Sequence, residues 1–438
     1  MSNGIRTREN VARMGRNHPT LAAYRAAVRQ MKSLPESDPR NWRRQAEIHV
    51  TSCPHGNWYF LPWHRKYILD FEEICRDLSG NPNFALPYWD WTQNPSIPGP
   101  FWRGTLLDRT RDVDRDDIIP AQFVGQPIID NILRQTDFEL FASTRPFGQN
   151  NTDPQRWQRA GGGQALLERT PHNNVHNWIG GNMATFESPL DPAFWLHHCN
   201  IDRLWAEWNA PPRSRPNTSD VLWTNLSLLP FNTLVRNLQS VTQLGYTYDT
   251  LAQPQLAEVS ESPPLLERAR ERFELTEPQV ASLEQSVSFP VQTPQSALPV
   301  AAEAVSAEAV SAQDVAEDGA PKVVAFVRGV EPPEDRRVTV NVFLNCPYLS
   351  AETPVSDPHH VGNFAFFGVH EHEHEEAEGE HDMKKSFVFD LSNTVNRLQS
   401  LESDLDSQLT VQLMPKPYAG RNVQPEEIRI EGVEIVYT

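Results

Sequence analysis

His172-Asn173-Asn174-Val175-His176 and, fifteen residues on, Asp191-Pro192-Ala193-Phe194-Trp195-Leu196-His197-His198 decide how this chain is read. His172 and His176 are four apart. On a helix that spacing puts two rings on one face, about 5–6 Å apart at Cβ, where they can share a metal ion. An isolated pair of this kind is more often two solvated helix histidines. His198 changes that balance, because Phe194, Trp195 and Leu196 make an apolar setting in which a charged imidazolium is costly. A neutral, metal-bound imidazole removes the difficulty. Residues 198–208 then read as a helix. Asp202, one turn past His198, is expected to accept from the outer ring N–H of a ligand or to pair with Arg203.

The first half of the chain has the same grammar. His49 and His55 bracket a stretch broken by Pro54 and Gly56, and His64 follows among Trp58, Tyr59, Phe60 and Trp63. His64 leads into a helical pattern through Glu72. Two ligands of this triplet are therefore expected on helices and one, His55, on a loop. Two imidazole triplets without a cysteine pair or a carboxylate cluster suit copper, zinc, iron or nickel. Structural zinc favours cysteines, and catalytic zinc keeps one water on three ligands. Copper is the best chemical match for two three-coordinate ions sharing an open face. Spacing alone leaves a dinuclear zinc or iron site open.

The motifs Pro54-His55-Gly56, Phe60-Leu61-Pro62-Trp63-His64-Arg65, Leu86-Pro87-Tyr88-Trp89-Asp90-Trp91, Pro171 to His176 and Asp191 to Arg203 together resemble the central domain of type 3 copper proteins. That group contains tyrosinases, catechol oxidases and molluscan hemocyanins, and the likeness is expected to be greatest to bacterial tyrosinases and polyphenol oxidases. The resemblance implies that His49, His55 and His64 hold one copper, and His172, His176 and His198 the other, with dioxygen as co-substrate. His197 is the non-ligand neighbour and reads as a hydrogen-bonded core histidine. Cys53, two before His55, has the spacing that in fungal and molluscan relatives gives a thioether to the histidine ring; the alternative is a buried thiol. Glu168 and Asn173 resemble residues thought to hold a water that takes the phenol proton, which would favour monophenol hydroxylation. Glu168 equally suits a first-turn helix acid. Phe186 or Thr185 is expected over the second copper, shaping or blocking the entrance.

The 438 residues suffice for two or three domains. A net charge of −18 argues against nucleic acid and anionic membranes as partners. No apolar run reaches the length of a membrane span. Four scattered cysteines and the absence of an apolar leader make the cytoplasm the expectation, with helper-assisted export left open. Small phenols are the expected partners; the oligomeric state is not legible.

Residues 1–250 read as a mainly α catalytic domain, a four-helix bundle holding the dicopper site. Helices are expected at 18–33, 40–50, 63–79, 129–143, 172–179, 198–208 and 231–242, with tryptophans packed around them. Residues 251–320 read as a Pro/Ala/Glu-rich linker containing an amphipathic helix over 265–283 and a five-residue repeat across 302–312, where a protease would cut. Residues 321–438 alternate in the strand manner and predict an all-β, sandwich-like domain. It resembles, more weakly, the C-terminal domain of plant polyphenol oxidases through Val340 to Asn345, Gly362-Asn363-Phe364 and Leu409 to Lys416, and this implies a latent proenzyme whose site is covered. Gly362–Val369, with Phe364, Phe366 and Phe367, reads as ordinary strand core or as the cover. The run His370 to Glu376 with His381 and Asp382 reads as a solvated acidic loop with some copper affinity.

The leading function is thus hydroxylation of monophenols and oxidation of o-diphenols to o-quinones. Catechol oxidase or o-aminophenol oxidase without monophenolase activity, and a hemocyanin-like oxygen carrier, stand beside it; a zinc hydrolase is a distant fourth, disfavoured by the lack of an acidic ligand.

Overall fold

The computed structural model describes residues 4–148, 153–251, 259–260, 263–273, 275–292, 322–368, 384–401, 408–424 and 427–438. The 302–312 repeat and the 370–382 histidine run lie outside them. A helical unit and a β-sandwich pack against each other.

The helical unit is built on α1 (Pro19–Ser33), α2 (Trp42–Ser52), α3 (Phe60–Ser79), α4 (Gln126–Arg134), α5 (Asn173–Ile179) and α6 (Ala193–Asn209). Local signals set their ends. Asn41 accepts the N–H groups of Arg43 and Arg44 at the start of α2, and Gly80, at φ +66°, ends α3. A π-helical turn, Glu168–His172, runs directly into α5. Helix α6 is buried along nearly its whole length, so His197, His198, Asn200, Asp202 and Arg203 lie in the core beside its apolar residues. Of the tryptophans expected to fill the core, Trp89, Trp91, Trp195, Trp205 and Trp208 are fully buried and Trp178 nearly so, while Trp102 is half-buried.

Asp202 is neither a ligand's acceptor nor the partner of Arg203. Its carboxylate accepts from Arg65 Nε (2.5 Å), Arg8 Nη1 (3.0 Å), Tyr246 OH (2.7 Å) and Tyr248 OH (2.6 Å). Arg203 instead bonds Asn200 and Glu207. Two buried guanidiniums outbid a histidine N–H for the carboxylate, because an unpaired buried charge costs far more than an unpaired neutral ring nitrogen.

The sandwich comprises a four-stranded sheet, ordered β4-β9-β6-β7, and a five-stranded sheet, ordered β1-β8-β5-β11-β2. Here β1 is Gly163–Gln164, β2 Glu271–Arg272, β3 Gln279–Ser282, β4 Val287–Gln292, β5 Val323–Val330, β6 Val338–Leu344, β7 His360–Ala365, β8 Lys385–Asp390, β9 Gln408–Pro417, β10 Glu427–Ile430 and β11 Gly432–Tyr437; β3 pairs with β10. Helix α7 (Ser392–Leu401) follows β8. Strand β5 is apolar at nearly every position because both its faces are covered. Val323, Ala325 and Val327 face the sandwich interior, while Val324 and Phe326 pack with Leu140 and Leu265.

Strand β1 belongs in sequence to the helical unit, yet it pairs parallel with β8 (Ser386 opposite Gly163, Phe387 opposite Gln164). Only glycine fits there: a Cβ on Gly163 would lie 2.2 Å from Val388 Cγ2.

Three expected helices differ. Over 265–283 the chain forms a turn and then strands β2 and β3, because Leu265 and Phe273 find separate partners, in Leu140 and in the Tyr437 ring, and β2 pairs with β11. Over 231–242 there is a short strand, Thr233–Leu234, and a 3-10 turn, Val235–Leu238. The 129–143 helix breaks at Gln135, and Asp137 caps a new turn by accepting from Glu139 and Leu140 N–H.

Candidate metal centre

Four helical segments bring the predicted histidines together. His49 comes from α2, His64 from α3, His172 from the π-turn, His176 from α5 and His198 from α6; His55 lies on the loop between α2 and α3. Ligand-capable atoms of His49, His55 and His64 lie within 4.8 Å of one another, as do those of His172, His176, His197 and His198. The two groups face each other: His64 stacks on His198 at 4.4 Å and 12°, and His55 on His172 at 5.3 Å.

The outer nitrogens define the rings' chemistry. Nδ1 of His49, His64 and His176 lies 2.7, 2.8 and 2.6 Å from the carbonyls of Phe186, Phe60 and Met183. A carbonyl only accepts, so each Nδ1 carries the hydrogen and each Nε2 keeps a lone pair. Asn173 donates through Nδ2 to the Ala365 carbonyl (2.7 Å), which fixes its amide and leaves Oδ1 to accept from His172 Nδ1 at 2.8 Å. His55 Nδ1 faces the Glu168 carboxylate at 3.3 Å. Inward, the Nε2 atoms of His49 and His64 approach to 3.4 Å, and those of His176 and His198 to 3.3 Å. Nε2 of His55 and of His172 is buried with no partner among the described residues.

These partners turn five Nε2 lone pairs inward; His198, whose buried Nδ1 has no partner among the described residues, brings its Nε2 beside that of His176, and such a set is what a pair of metal ions satisfies. His197 has the opposite tautomer. Its Nδ1 accepts from the Trp91 indole N–H at 3.1 Å, so its Nε2 carries the proton.

Burial keeps the rings neutral. It lowers His49 to about 4 and His172 to about 3, and it pushes His55, His64, His176 and His198 well below the usual histidine value, with neighbouring imidazoles adding to the effect. Neutral rings are ready ligands at pH 7.

Glu168 is fully buried. Oε1 accepts from Gly56 N–H (2.7 Å) and Oε2 from the Ser143 hydroxyl, and burial raises its carboxyl to about 7. Asn173 also donates to Gln164 Oε1 (2.6 Å). Phe186 is not over the second triplet. Its ring lies 6.3 Å from His49 and 6.0 Å from His55, over the first. The His49–Phe186 carbonyl bond fixes it there. Cys53 is a free thiol at the end of α2.

The sandwich reaches into this centre. The Phe367 ring lies 4.3 Å from His176, 4.7 Å from His55, 5.3 Å from His172 and 5.5 Å from Phe186. Phe364 and Phe366 instead stay in the sandwich core. The next residue, Gly368, has φ +85°, and a Cβ on it would lie 2.4 Å from the Phe186 ring. The backbone of this segment is held by the helical unit. Asn173, Asn174 and Asn177 of α5 donate to Ala365 O, Asn363 Oδ1 and Phe366 O, and Tyr418 donates to Asn174.

Residues 25–109 and 103–211 match the family profile "Common central domain of tyrosinase". Residues 279–437 match the "Chloroplastic Polyphenol Oxidase C-terminal domain". This chain carries the central domain of the type 3 copper proteins. It is a copper oxidoreductase of the class whose members among its relatives are named polyphenol oxidase, catechol oxidase and tyrosinase. The chloroplastic polyphenol oxidase of Malus domestica is 26% identical over 94% of this chain and 74% of its own length. A tyrosinase of Hahella sp. is 30% identical over 56% and 63%, and catechol oxidase B of Solanum tuberosum 29% over 53% and 47%. The chain thus spans about half the length of several plant relatives (46–47%). The structure of latent apple tyrosinase superposes with TM-score 0.69 at 21% identity, covering 99% of this chain and 97% of that one. A functional unit of octopus hemocyanin superposes with TM-score 0.54 at 19% identity over 97% and 99%; at these identities both report shared fold.

Two expectations change. Plant polyphenol oxidases match alongside a bacterial tyrosinase, so no special likeness to bacterial enzymes emerges. The plant relatives are named chloroplastic, which points to plastid targeting and overturns the cytoplasmic reading. Among the described residues no helix is long and apolar enough to cross a membrane.

Sequence reasoning missed the carbonyls of Phe60, Phe186 and Met183, which orient ligands, because any residue supplies a carbonyl. It also missed Gln164 and Ser143. The singling out of Phe367 among three phenylalanines had no signal beyond its adjacency to Gly368.

Proposed function

We propose that this chain is a latent polyphenol oxidase that hydroxylates monophenols and oxidises o-diphenols to o-quinones. In this reading His49, His55 and His64 hold one copper, and His172, His176 and His198 hold the other. The observation that carries the reading is the convergence of six neutral, buried imidazoles, five of them held with the Nε2 lone pair inward. Copper bound by these residues would supply the activation of dioxygen.

The chain's own groups do the rest. Backbone carbonyls, Asn173 and Glu168 hold five of the six ligand rings in one tautomer. Phe60, Phe186 and Phe194 wall the site and exclude water. In the covered state the Phe367 ring occupies the space over the histidines where a phenol would stack. Removing the sandwich would free Asn173 Nδ2 from Ala365 and open a path for water to Glu168. A carboxyl near 7 is suited to take a phenol proton through that water. Loss of that proton is what a phenol needs before binding metal. We further propose that Cys53 can join His55 through a thioether, the thiol S–H and a ring C–H being lost with two electrons to dioxygen, which leaves as hydrogen peroxide; the bond would restrict the ring. A domain limit at about 250 completes the scheme; since β2, β3 and β4 belong to the sandwich, the second limit falls near 270 rather than 320, and a cut between the two releases the cover.

Oxygen uptake by the copper-loaded chain with tyramine and with 4-methylcatechol, before and after light proteolysis, tests the reading. Turnover of both that rises on cutting is expected. Turnover of the catechol alone would reduce the function to catechol oxidase and remove the base role of Glu168. Absence of turnover with either substrate, cut or uncut, would favour an oxygen carrier.

A further inference from the structure

A cavity of about 400 Å³ lies where the two units meet, remote from the histidine cluster in its lining. Its wall combines Arg134 and Arg169 of the helical unit with His360, Asp390 and Arg397 of the sandwich. Asn393 and Thr394, in the first turn of α7, complete one side.

The charges do not balance. Arg169 is 4% exposed, and among the described residues no carboxylate lies within ion-pair distance of Arg134, Arg169 or Arg397. Arg169 is held by neutral acceptors only, the carbonyls of Val388 (3.0 Å) and Asn363 (2.5 Å) and the Thr170 hydroxyl, with its guanidinium 3.9 Å over the Phe389 ring. Burial without a counter-charge lowers its pKa to about 9. Asp390 is already engaged, accepting from Ser392 N–H (3.0 Å) and facing Lys322 at 3.9 Å. The nearby arginines and burial keep His360 neutral, and its buried Nε2 has no partner among the described residues. Arg397 donates to the Pro358 and His360 carbonyls and to Thr394 Oγ1, with the Asp357 charge nearby but outside ion-pair distance. Three guanidiniums against two carboxylates, Asp390 and Asp357, leave an excess of positive charge in a chain whose net charge is −18. A buried cation without an anion is unfavourable unless something else supplies the anion.

We propose that this cavity binds a small dianionic oxyanion, such as inorganic phosphate, and that the bound anion clamps the sandwich onto the helical unit. The anion would take charge-assisted hydrogen bonds from Arg134 and Arg169 on one side and Arg397 on the other. A ligand touching both units binds the docked arrangement alone and stabilises it by mass action. The site itself is independent of the oxidase reading; only its effect on latency rests on that reading.

Isothermal titration of the full chain with phosphate, at ionic strength held by chloride, reads binding directly. The rate of light proteolysis of the same chain, with and without phosphate, reads the clamp. Arg134→Gln and Arg397→Gln change exposed side chains, with thermal unfolding as the check that the Arg397 bonds to Pro358 and His360 are dispensable; Arg169→Met addresses the buried charge. Phosphate is expected to bind, each exposed variant to weaken it about tenfold, and phosphate to slow cutting of the native chain but not of the double variant. Heat no different from chloride, or equal affinity in native and variant chains, would overturn the site. Binding without slower cutting would keep the site and overturn the clamp. Neither result depends on turnover of phenols, so failure of the oxidase reading is separately visible.

Discussion

Replacing Phe367 with alanine separates the cover from everything else the chain does. The ring is 2% exposed, and its neighbours His49, His55, His172, His176 and Phe186 all belong to the helical unit. The loss therefore falls on the docked arrangement rather than on either unit alone. Truncating a buried phenylalanine costs about 3–5 kcal/mol. The lower value applies here, because the site can admit water once the ring is gone. About 3 kcal/mol is roughly a hundredfold shift toward the undocked form. Turnover of 4-methylcatechol by uncut, copper-loaded F367A is expected to rise by up to that factor over the uncut native chain. After proteolysis the two should agree. Oxygen uptake with copper content measured in parallel is the assay. An uncut variant as silent as the native chain, yet fully active when cut, would refute the claim that this ring is the cover.

Asn177→Ala leaves the buried Phe366 carbonyl without its donor, and we expect about 1–3 kcal/mol weaker docking, read as faster proteolytic release at unchanged activity after cutting. His198→Ala should reduce bound copper from about two ions per chain to one or fewer, and chelation of the native chain should lower its melting temperature, since metal binds only the assembled histidines; metal analysis and calorimetry decide. Asp202→Asn leaves the buried Arg65 guanidinium without a carboxylate, while Arg8 keeps Glu72, and is expected to cost about 3–5 kcal/mol, visible in chemical denaturation. Glu168 in the metal-free chain is raised from 4.5 to about 7 by burial, so the folded state binds an extra proton between those values. Its contribution is full below about pH 4.5 and is lost as pH rises through 7, on the order of 3 kcal/mol. E168Q should flatten the stability–pH curve across that window; an unchanged slope would remove the assignment.

The histidines were legible because ligation demands side-chain identity at fixed spacing, and nothing else in a core needs six imidazoles. The sandwich was legible from alternation in segments such as 338–344. What failed did so for tertiary reasons. The 265–283 stretch has helical charge periodicity, but Leu265 and Phe273 are claimed by opposite surfaces. Asp202 was expected at a ligand because one turn separates it from His198, yet Arg8 and Arg65 arrive from distant sequence. Phe186 was placed over the wrong triplet, since its position follows from a carbonyl bond to His49. Phe367 is hidden in a pattern, Phe364-Ala365-Phe366-Phe367, that a sandwich core would also produce.

Strand β1 has a further consequence for the life of the cut protein. A single break in the connecting segment severs the covalent tie, but two residues, Gly163 and Gln164, still continue the sandwich's sheet. Release must peel them from β8, so a lag between peptide-bond cleavage and full activity is built in. The departing piece then carries a raw sheet border at Lys385–Asp390, ready to recruit another strand. Spent covers are expected to self-associate, and Lys385, at that border, is the charge that would restrain them.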